Sequence, residues 1–203
     1  MAKLKAPLMS LGASQQLGKA LVFFPWKGLD LVREYVVPAN PKTSGQTTQR
    51  GYLTAAVTKI HYAQGLAANE LASIDTIAYS ALGSTYPTPR TWFNTIVKQW
   101  LDQRVAGLQA GVWCGAVLTP AGVQIVFKIT GVFTAGEPAN CSVRWGTSKT
   151  ALVNAQTVTF AQLQGGIAIT GMTSGVKYFL QVRPLTAAGF VGCNSGIYYS
   201  TTT

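Results

Sequence analysis

The run VKYFLQVRPL, from Val176 to Leu185, shows the pattern that decides the fold of the C-terminal half of this chain. Its apolar and polar residues alternate, as they do in a half-buried β-strand. Further short β-rich runs lie after Gly111, each bounded by Gly, Pro, Asn or Ser: VWCGAVLT, GVQIVFKITGVF, CSVRWGTS, AQTVTFAQL, GGIAITGM and SGIYYSTT. Seven such runs in about ninety residues, with a turn signal roughly every ten, predict a two-sheet antiparallel sandwich.

The N-terminal half begins with a predicted β-hairpin between Gln16 and Pro38, with its turn at Lys27-Gly28. The first strand places three apolar residues on one face: Val22, Phe24 and Trp26. In the returning segment LDLVREYVV, alternate residues also share one face: Leu31, Arg33, Tyr35 and Val37. Pro38 and Pro41 then end the extended run, because proline removes a backbone donor and biases the preceding residue away from helix.

Helical spacing replaces the alternation after Thr43. A first helix is predicted from about Ser44 to Gln64, with Thr43 and Gln46 forming a capping box at its start. Its apolar stripe is Leu53, Val57 and Ile60, and a second helix carries the stripe Leu71, Ile74, Ala78 and Leu82. A third helix is predicted to be capped by Thr88, with Pro89 at its first position. Its broad apolar face holds Trp92, Phe93, Ile96, Val97, Trp100, Leu101 and Val105.

These patterns predict an α+β protein of two domains. Residues 1–107 form a β-hairpin plus helical α+β domain, and residues 111–203 form an all-β domain. The segment Gly107 to Gly111 is the linker. We expect each part to bury its own hydrophobic core.

The composition includes an unusually low proportion of charged residues. Of 203 residues, 11% are charged, against about a quarter in an average protein, and the formal net charge is +10. A neutral polar surface suits packing against neighbours, while the basic excess permits contact with an acidic surface or nucleic acid. No apolar run is long enough to cross a membrane, and we expect no export signal at the N-terminus.

No enzymatic or metal-binding signature is found in the sequence. The single histidine, His61, has no second nitrogen or sulfur ligand at a suitable spacing. The six carboxylates, Asp30, Glu34, Glu70, Asp75, Asp102 and Glu137, form no recognisable acid/base pair. Phosphate-binding glycine loops are absent from the sequence. The three cysteines, Cys114, Cys141 and Cys193, include no C-x-x-C pair and indicate buried reduced thiols of a protein made in the cytoplasm.

The C-terminal half resembles a fibronectin type III module, an immunoglobulin-like fold. The stretch MTSGVKYFLQVRPLTAAGFVGCNSGIYYSTT is similar to the final strands of that family, with a turn at Ser174-Gly175, an alternating strand, an AAG turn and a Thr-rich closing strand. Tyr178 matches the corner tyrosine and Val182 the buried position four residues later. The segment VRWGTS, which contains Trp145, resembles strand C. The resemblance implies a fold and no function, because such modules serve many kinds of protein.

The N-terminal half resembles a group of tailed-phage and prophage proteins with the pattern G-K…W-K-G…R…P-x-N-P-x-T-x-x-Q-x-x-R. Here the pattern falls on Gly18, Lys19, Trp26, Lys27, Gly28, Arg33, Pro38, Asn40, Pro41, Thr43, Gln46 and Arg50. The group is usually taken to consist of virion structural proteins. The resemblance therefore implies a non-enzymatic particle component, in the head, capsid or tail and neck. It would have no cofactor, would be made in the cytoplasm of a bacterial host, and would contact itself and other virion proteins.

Candidate subunit-contact residues follow from this reading: Trp26, Lys27, Arg33, Asn40, Gln46, Arg50, Trp92 and Trp100. Two alternatives stay open. Basic residues that alternate with aromatic ones in the N-terminal arm would suit a weak contact with packaged DNA. Alternatively, the C-terminal domain would bind a carbohydrate or cell surface through an aromatic platform of Trp113, Trp145, Tyr198 or Tyr199.

Overall fold

The protein has an α+β fold in which all three sheets of the described residues are antiparallel. The structure, a computed structural model, describes residues 2–4, 15–37, 39–40, 42–185, 190 and 192–203. Pro38, Pro41 and the AAG turn at 187–189, which the sequence analysis used, lie outside these residues. The chain divides into two compact units, Met1–Thr43 and Ser44–Thr203.

The first unit contains a four-stranded sheet built on the predicted hairpin. Its strands are β1 (Ala2–Leu4), β2 (Gln15–Leu17), β3 (Leu21–Trp26) and β4 (Leu29–Glu34), in the order β1-β4-β3-β2. The hairpin is confirmed, since Trp26 pairs with Leu29 across the turn. Lys27 and Gly28 have φ values of 50° and 75°, as a two-residue hairpin turn of type I′ requires. The two outer strands were not predicted, because each spans only three residues.

Three long helices begin the second unit: α1 (Ser44–Gln64), α2 (Ser73–Gly83) and α3 (Trp92–Val105). All three were predicted, and α1 has the predicted bounds. Its buried side consists of Ala56, Ile60 and Ala63, whereas Leu53 from the predicted stripe is 45% exposed. The capping box of Thr43 and Gln46 stays a prediction.

The start of α3 corrects the sequence analysis. Its N-cap is Thr91, whose side-chain oxygen accepts a hydrogen bond from the backbone N–H of Asn94 at 3.4 Å. The prediction that Thr88 caps the helix is wrong, and Pro89 lies in the preceding loop. The backbone N–H of Arg90 donates to the carbonyl oxygen of Gly83 at 3.3 Å, which ties the loop to the end of α2 and delays the helix.

All seven predicted strand runs of the C-terminal half contain strands, which form two sheets. One sheet has the order β5-β6-β9 and consists of β5 (Gly111–Ala121), β6 (Gln124–Phe133) and β9 (Ile167–Ile169). The other has the order β11-β10-β7-β8 and consists of β7 (Asn140–Gly146), β8 (Asn154–Thr159), β10 (Lys177–Leu185) and β11 (Tyr198–Thr201).

One of these runs, AQTVTFAQL, is strand only in its first half. The chain turns at Thr159 into a short helix, α4 (Phe160–Gly165). Thr159 accepts a hydrogen bond from the N–H of Gln162 at 3.2 Å, and the Gln162 side chain accepts one from the N–H of Thr159 at 2.8 Å. This reciprocal capping box favours a helix over continuation of the strand.

A single hydrophobic cluster joins the helices and both sheets of the second unit. Its buried members come from helices and strands alike: Ile60, Tyr79, Ile96, Trp100, Trp113, Phe127, Val143, Leu180 and Tyr198. The predicted domain boundary between residues 107 and 111 therefore falls inside this unit, whereas the compact units divide after Thr43. The difference arises because the apolar faces of the helices pack against the strands that follow them.

Candidate functional site

One face of the first unit carries an exposed apolar surface, which we call the hairpin face: Val22, Phe24, Trp26, Leu31 and Arg33. Strand alternation puts these side chains on the same side of the sheet. The register supports this arrangement, since Phe24 lies directly opposite Leu31, and Val22 directly opposite Arg33. Together the five side chains line an open concavity of about 470 Å³.

The hairpin face is both aromatic and positively charged. Trp26 is 59% exposed. The guanidinium carbon of Arg33 lies 5.6 Å from the centroid of the Phe24 ring, a cation–π distance. The two carboxylates of the hairpin, Asp30 and Glu34, are paired with Pro25 and Leu21 and so belong to the opposite face. This surface can therefore bind an apolar partner that also supplies a negative charge.

The opposite face of the same sheet contributes Phe23, which is 8% exposed. Among residues 16–37, Phe23 is the only hydrophobic residue that is buried. A unit of this size buries a small fraction of its apolar surface by itself and gains stability from association. Exposed aromatic side chains on a small sheet are typical of a binding surface.

The structure brings only part of the predicted contact set together. Trp26 and Arg33 share the hairpin face, and Lys27 lies exposed in the adjoining turn. Asn40, Gln46 and Arg50 are exposed, as a contact role requires. Trp92 is half-buried, and its ring makes an edge-on contact with Phe93 at a centroid distance of 5.7 Å. Trp100 lies in the core with 2% exposure, so its side chain cannot reach a partner in the folded chain.

The predicted aromatic platform for carbohydrate is largely buried. Trp113 and Tyr198 are 0% and 1% exposed, which rules out stacking of a sugar on either ring in this structure. Trp145 is half-buried against the hydrophobic cluster. Tyr199 is exposed, but the amine of Lys177 lies 3.9 Å from its ring centroid and covers that ring. These positions serve packing or a cation–π contact.

Tyr178 and Val182, which the resemblance to fibronectin type III singled out, are both buried residues of β10. The Tyr178 hydroxyl accepts a hydrogen bond from the backbone N–H of Thr173, five residues earlier, at 3.1 Å. Val182 is fully buried in β10. The bond ties the start of β10 to the chain segment that follows β9.

A buried carboxylate, which the sequence analysis missed, connects α2 to the two sheets. The side chain of Asp75 is fully buried. One of its oxygens accepts a hydrogen bond from the Tyr198 hydroxyl at 2.7 Å, and the other accepts from the backbone N–H groups of Gly115 at 3.1 Å and Ala72 at 3.2 Å. Burial raises the pKa of Asp75, while these hydrogen bonds, led by that of Tyr198, partly offset the rise. No nucleophile or base accompanies Asp75 among its hydrogen-bond partners, so its geometry is that of a structural link.

Among the described residues, the histidine and the three cysteines lie outside the hydrogen bonds of Asp75. His61 is exposed in the last turn of α1. Within the part of the chain that the structure describes, no group of three His, Cys, Asp or Glu side chains could hold a metal ion. The three cysteines are free and buried, and burial raises the pKa of Cys114, Cys141 and Cys193 to about 12 each.

No protein-family model, curated protein or solved structure matches the chain. Among the described residues, none of the helices combines the length and the apolar character needed to span a membrane.

Proposed function

We propose that the protein is a non-enzymatic structural component of a bacteriophage virion that acts through subunit contacts. The hairpin face carries this proposal. It combines an exposed Trp26, an apolar concavity and Arg33 on a small sheet. Aromatic and arginine side chains dominate the energetics of protein–protein contacts, so this surface suits burial in an assembly. The partners would be further copies of the chain and other virion proteins.

We further infer that the two sheets of the second unit form a fibronectin type III-like sandwich. In chain order the seven strands would be A to G, which puts A, B and E in one sheet and the fourth strand with C, F and G in the other. In constant-type immunoglobulin domains the fourth strand pairs with E instead. The hydrogen bond from Thr173 to Tyr178 also supports the inference, because a corner tyrosine bonds to the backbone a few residues upstream. In this proposal the N-terminal region anchors the chain and the sandwich is displayed outward.

The direct test is to purify the phage particles and look for the protein in them. Mass spectrometry of particles banded in a density gradient is expected to find the chain at a constant ratio to the other virion proteins. Negative-stain imaging with an antibody against residues 111–203 is expected to label the particle surface. Absence of the chain from washed particles would contradict the proposal.

Replacing Trp26 by Ser is expected to weaken association of the purified chain roughly thirtyfold, because an exposed aromatic anchor at the centre of a contact contributes about 2 kcal/mol. Sedimentation equilibrium over a concentration series measures this change. The matched control is Tyr62→Ser, since Tyr62 is 57% exposed, close to the 59% of Trp26, but lies in α1 outside the hairpin face. Equal association of the Trp26→Ser chain and the unchanged chain would remove the hairpin face from the proposal.

Contact with nucleic acid is the second candidate function, and the net charge of +10 favours it. Phosphate contacts release counterions, so binding to DNA would weaken steeply as salt is raised. Titration of a duplex at several salt concentrations separates this function from protein–protein association. Binding that does not depend on salt would speak against it.

A further inference from the structure

A cavity at the outer face of β10, which we call the basic cleft, is lined by Lys149, Gln181 and Arg183, and Arg144 of β7 lies beside it on the same sheet face. Arg144 lies directly opposite Gln181 in the strand register, and Arg183 follows Gln181 by two residues. All three side chains therefore lie on one face, and the Cβ atoms of the two arginines are diagonal neighbours roughly 7–8 Å apart. Sheet pairing thus brings two guanidinium groups together.

Helices and loops turn this sheet face into a cleft. Gln99 of α3, Thr85 and Tyr86 of the loop after α2, and Lys149 and Thr150 of the loop after β7 surround Gln181 and Arg183. The cavity has a volume of about 360 Å³. The Lys149 amine is held in place by donating a hydrogen bond to the Ser84 hydroxyl at 2.9 Å. The walls are thus mostly polar side chains and include two positive charges.

The positive charges of the two neighbouring arginines lack a compensating carboxylate among the described residues. No carboxylate of the described residues lies within ion-pairing distance of Arg144 or Arg183. Burial lowers the pKa of Arg183, and the charge of Arg144 lowers it further, which indicates that the two groups repel each other. In the absence of an anion this arrangement costs free energy.

The hydrogen-bonding groups of the two arginines are also incompletely used. The Nε atom of Arg144 is buried and has no hydrogen-bond partner among the described residues. The Nε–H of Arg183 donates to the Gln181 side chain at 2.9 Å, and Gln181 in turn donates to the carbonyl oxygen of Ser195 at 3.2 Å. This chain fixes the orientation of Arg183. A buried donor without an acceptor is unusual in a folded protein, and it leaves the Arg144 guanidinium short of nearby negative charge.

We propose that the basic cleft binds a phosphomonoester, with Arg183 and Lys149 holding its phosphate group and the neighbouring Arg144 supplying a third positive charge. A guanidinium group matches the oxygens of a phosphate in shape and charge. A dianionic phosphate offsets the charge of the two arginines, which a single carboxylate does not. The cavity volume exceeds that of a phosphate ion and lies at the lower end of the range for small-molecule sites, so there is room for a small polar organic group.

The test is the thermal stability of the full chain in the presence of different anions at equal ionic strength. Glucose 6-phosphate and inorganic phosphate are expected to raise the melting temperature by roughly 5–10 °C at about a hundredfold excess over the dissociation constant. Sodium acetate and sodium chloride are expected to leave it unchanged. An equal rise of the melting temperature with acetate would overturn the proposal. A melting temperature that neither glucose 6-phosphate nor inorganic phosphate raises would also overturn it.

Variants identify the site. Arg144→Met, Arg183→Met and Lys149→Met are each expected to weaken binding of glucose 6-phosphate about tenfold, as measured by calorimetric titration. Arg144→Met also removes the repulsion, so we expect the unliganded variant to be at least as stable as the unchanged chain. Lys149 is exposed, so its replacement tests the site without disturbing the core. The matched control is Lys177→Met, which removes an exposed charge from the same strand outside the cleft and is expected to bind normally.

A third arm separates a free phosphomonoester from the phosphodiester backbone of nucleic acid. A short single-stranded oligothymidylate is expected to bind at least tenfold more weakly per phosphate than glucose 6-phosphate, because each of its linkages carries a single charge. The proposal of a phosphomonoester would be rejected if the oligonucleotide binds tightly and glucose 6-phosphate binds weakly. In that case Arg144→Met and Arg183→Met would abolish binding of the oligonucleotide. Normal binding of glucose 6-phosphate by all three variants would place its site elsewhere.

Discussion

Replacing Trp113 by Ala is expected to lower the free energy of unfolding by about 3–5 kcal/mol, the usual cost of removing a fully buried aromatic side chain. Trp113 is 0% exposed. Its ring contacts those of Phe133 and Phe160 at centroid distances of 5.2 and 5.8 Å, and its indole N–H donates to the carbonyl oxygen of Cys193 at 2.8 Å. The substitution removes all three interactions and leaves a cavity at the centre of the second unit. Urea denaturation followed by circular dichroism measures the loss.

The matched control is Trp92→Ala, which removes the same side chain from a half-buried position at the start of α3. We expect it to destabilise the chain by less than half as much, because less apolar surface is lost from the core. Equal effects of the two substitutions would contradict the central packing role of Trp113.

Replacing Asp75 by Ala is expected to cost about 3 kcal/mol, because it leaves the buried Tyr198 hydroxyl without its acceptor and removes two further hydrogen bonds to backbone N–H groups. The same urea titration measures this loss. Asp102→Asn is the control, since Asp102 is exposed and pairs with Lys98 on the same helix. A loss of stability no greater than that of the control would show that Asp75 does not link α2 to the sheets.

The raised pKa of Asp75 also predicts how stability depends on pH. In the folded chain the carboxyl group holds its proton more tightly than in the unfolded chain, where its pKa is 3.8. Its contribution is therefore fully present below pH 3.8 and is lost as pH rises through the folded pKa. Asp75→Asn is expected to remove this decrease. If the unchanged chain and Asp75→Asn show the same pH profile from pH 3 upwards, the pKa is not raised.

The positions of the longer strands could be predicted from sequence because strand signals are local. The alternation of VKYFLQVRPL and the Lys27-Gly28 turn depend on neighbouring residues, and both predictions hold in the structure. The exposure of each strand face could not be predicted in the same way. The first four residues of β5, Gly111–Cys114, are all buried, because α1 and α2 contact this strand and cover a face that alternation alone would leave to solvent. Trp113 was therefore mistaken for a binding platform.

The buried carboxylate and the basic cleft depend on partners that are distant in sequence. Asp75 bonds to Gly115, 40 residues away, and to Tyr198, 123 residues away. Arg144 and Arg183 become neighbours only through the pairing of β7 with β10. In the hairpin face, by contrast, Val22 to Arg33 lie in two successive strands, so alternation was enough to place Trp26 and Phe24 together. The hairpin face was thus predictable because one hairpin makes it, whereas the other two sites join segments that are distant in sequence.

The three buried cysteines can report local unfolding of the unsubstituted chain. Cys114 lies in β5, Cys141 in β7, and Cys193 in the segment before β11, where its thiol lies 3.4 Å from the carbonyl oxygen of Gly111. Because thiolate is the reactive form and each thiol has a pKa of about 12, a thiol-specific reagent at neutral pH modifies only molecules in which these segments have separated. The rate of modification at each cysteine therefore reports how often that part of the second unit unfolds locally, without any substitution or label.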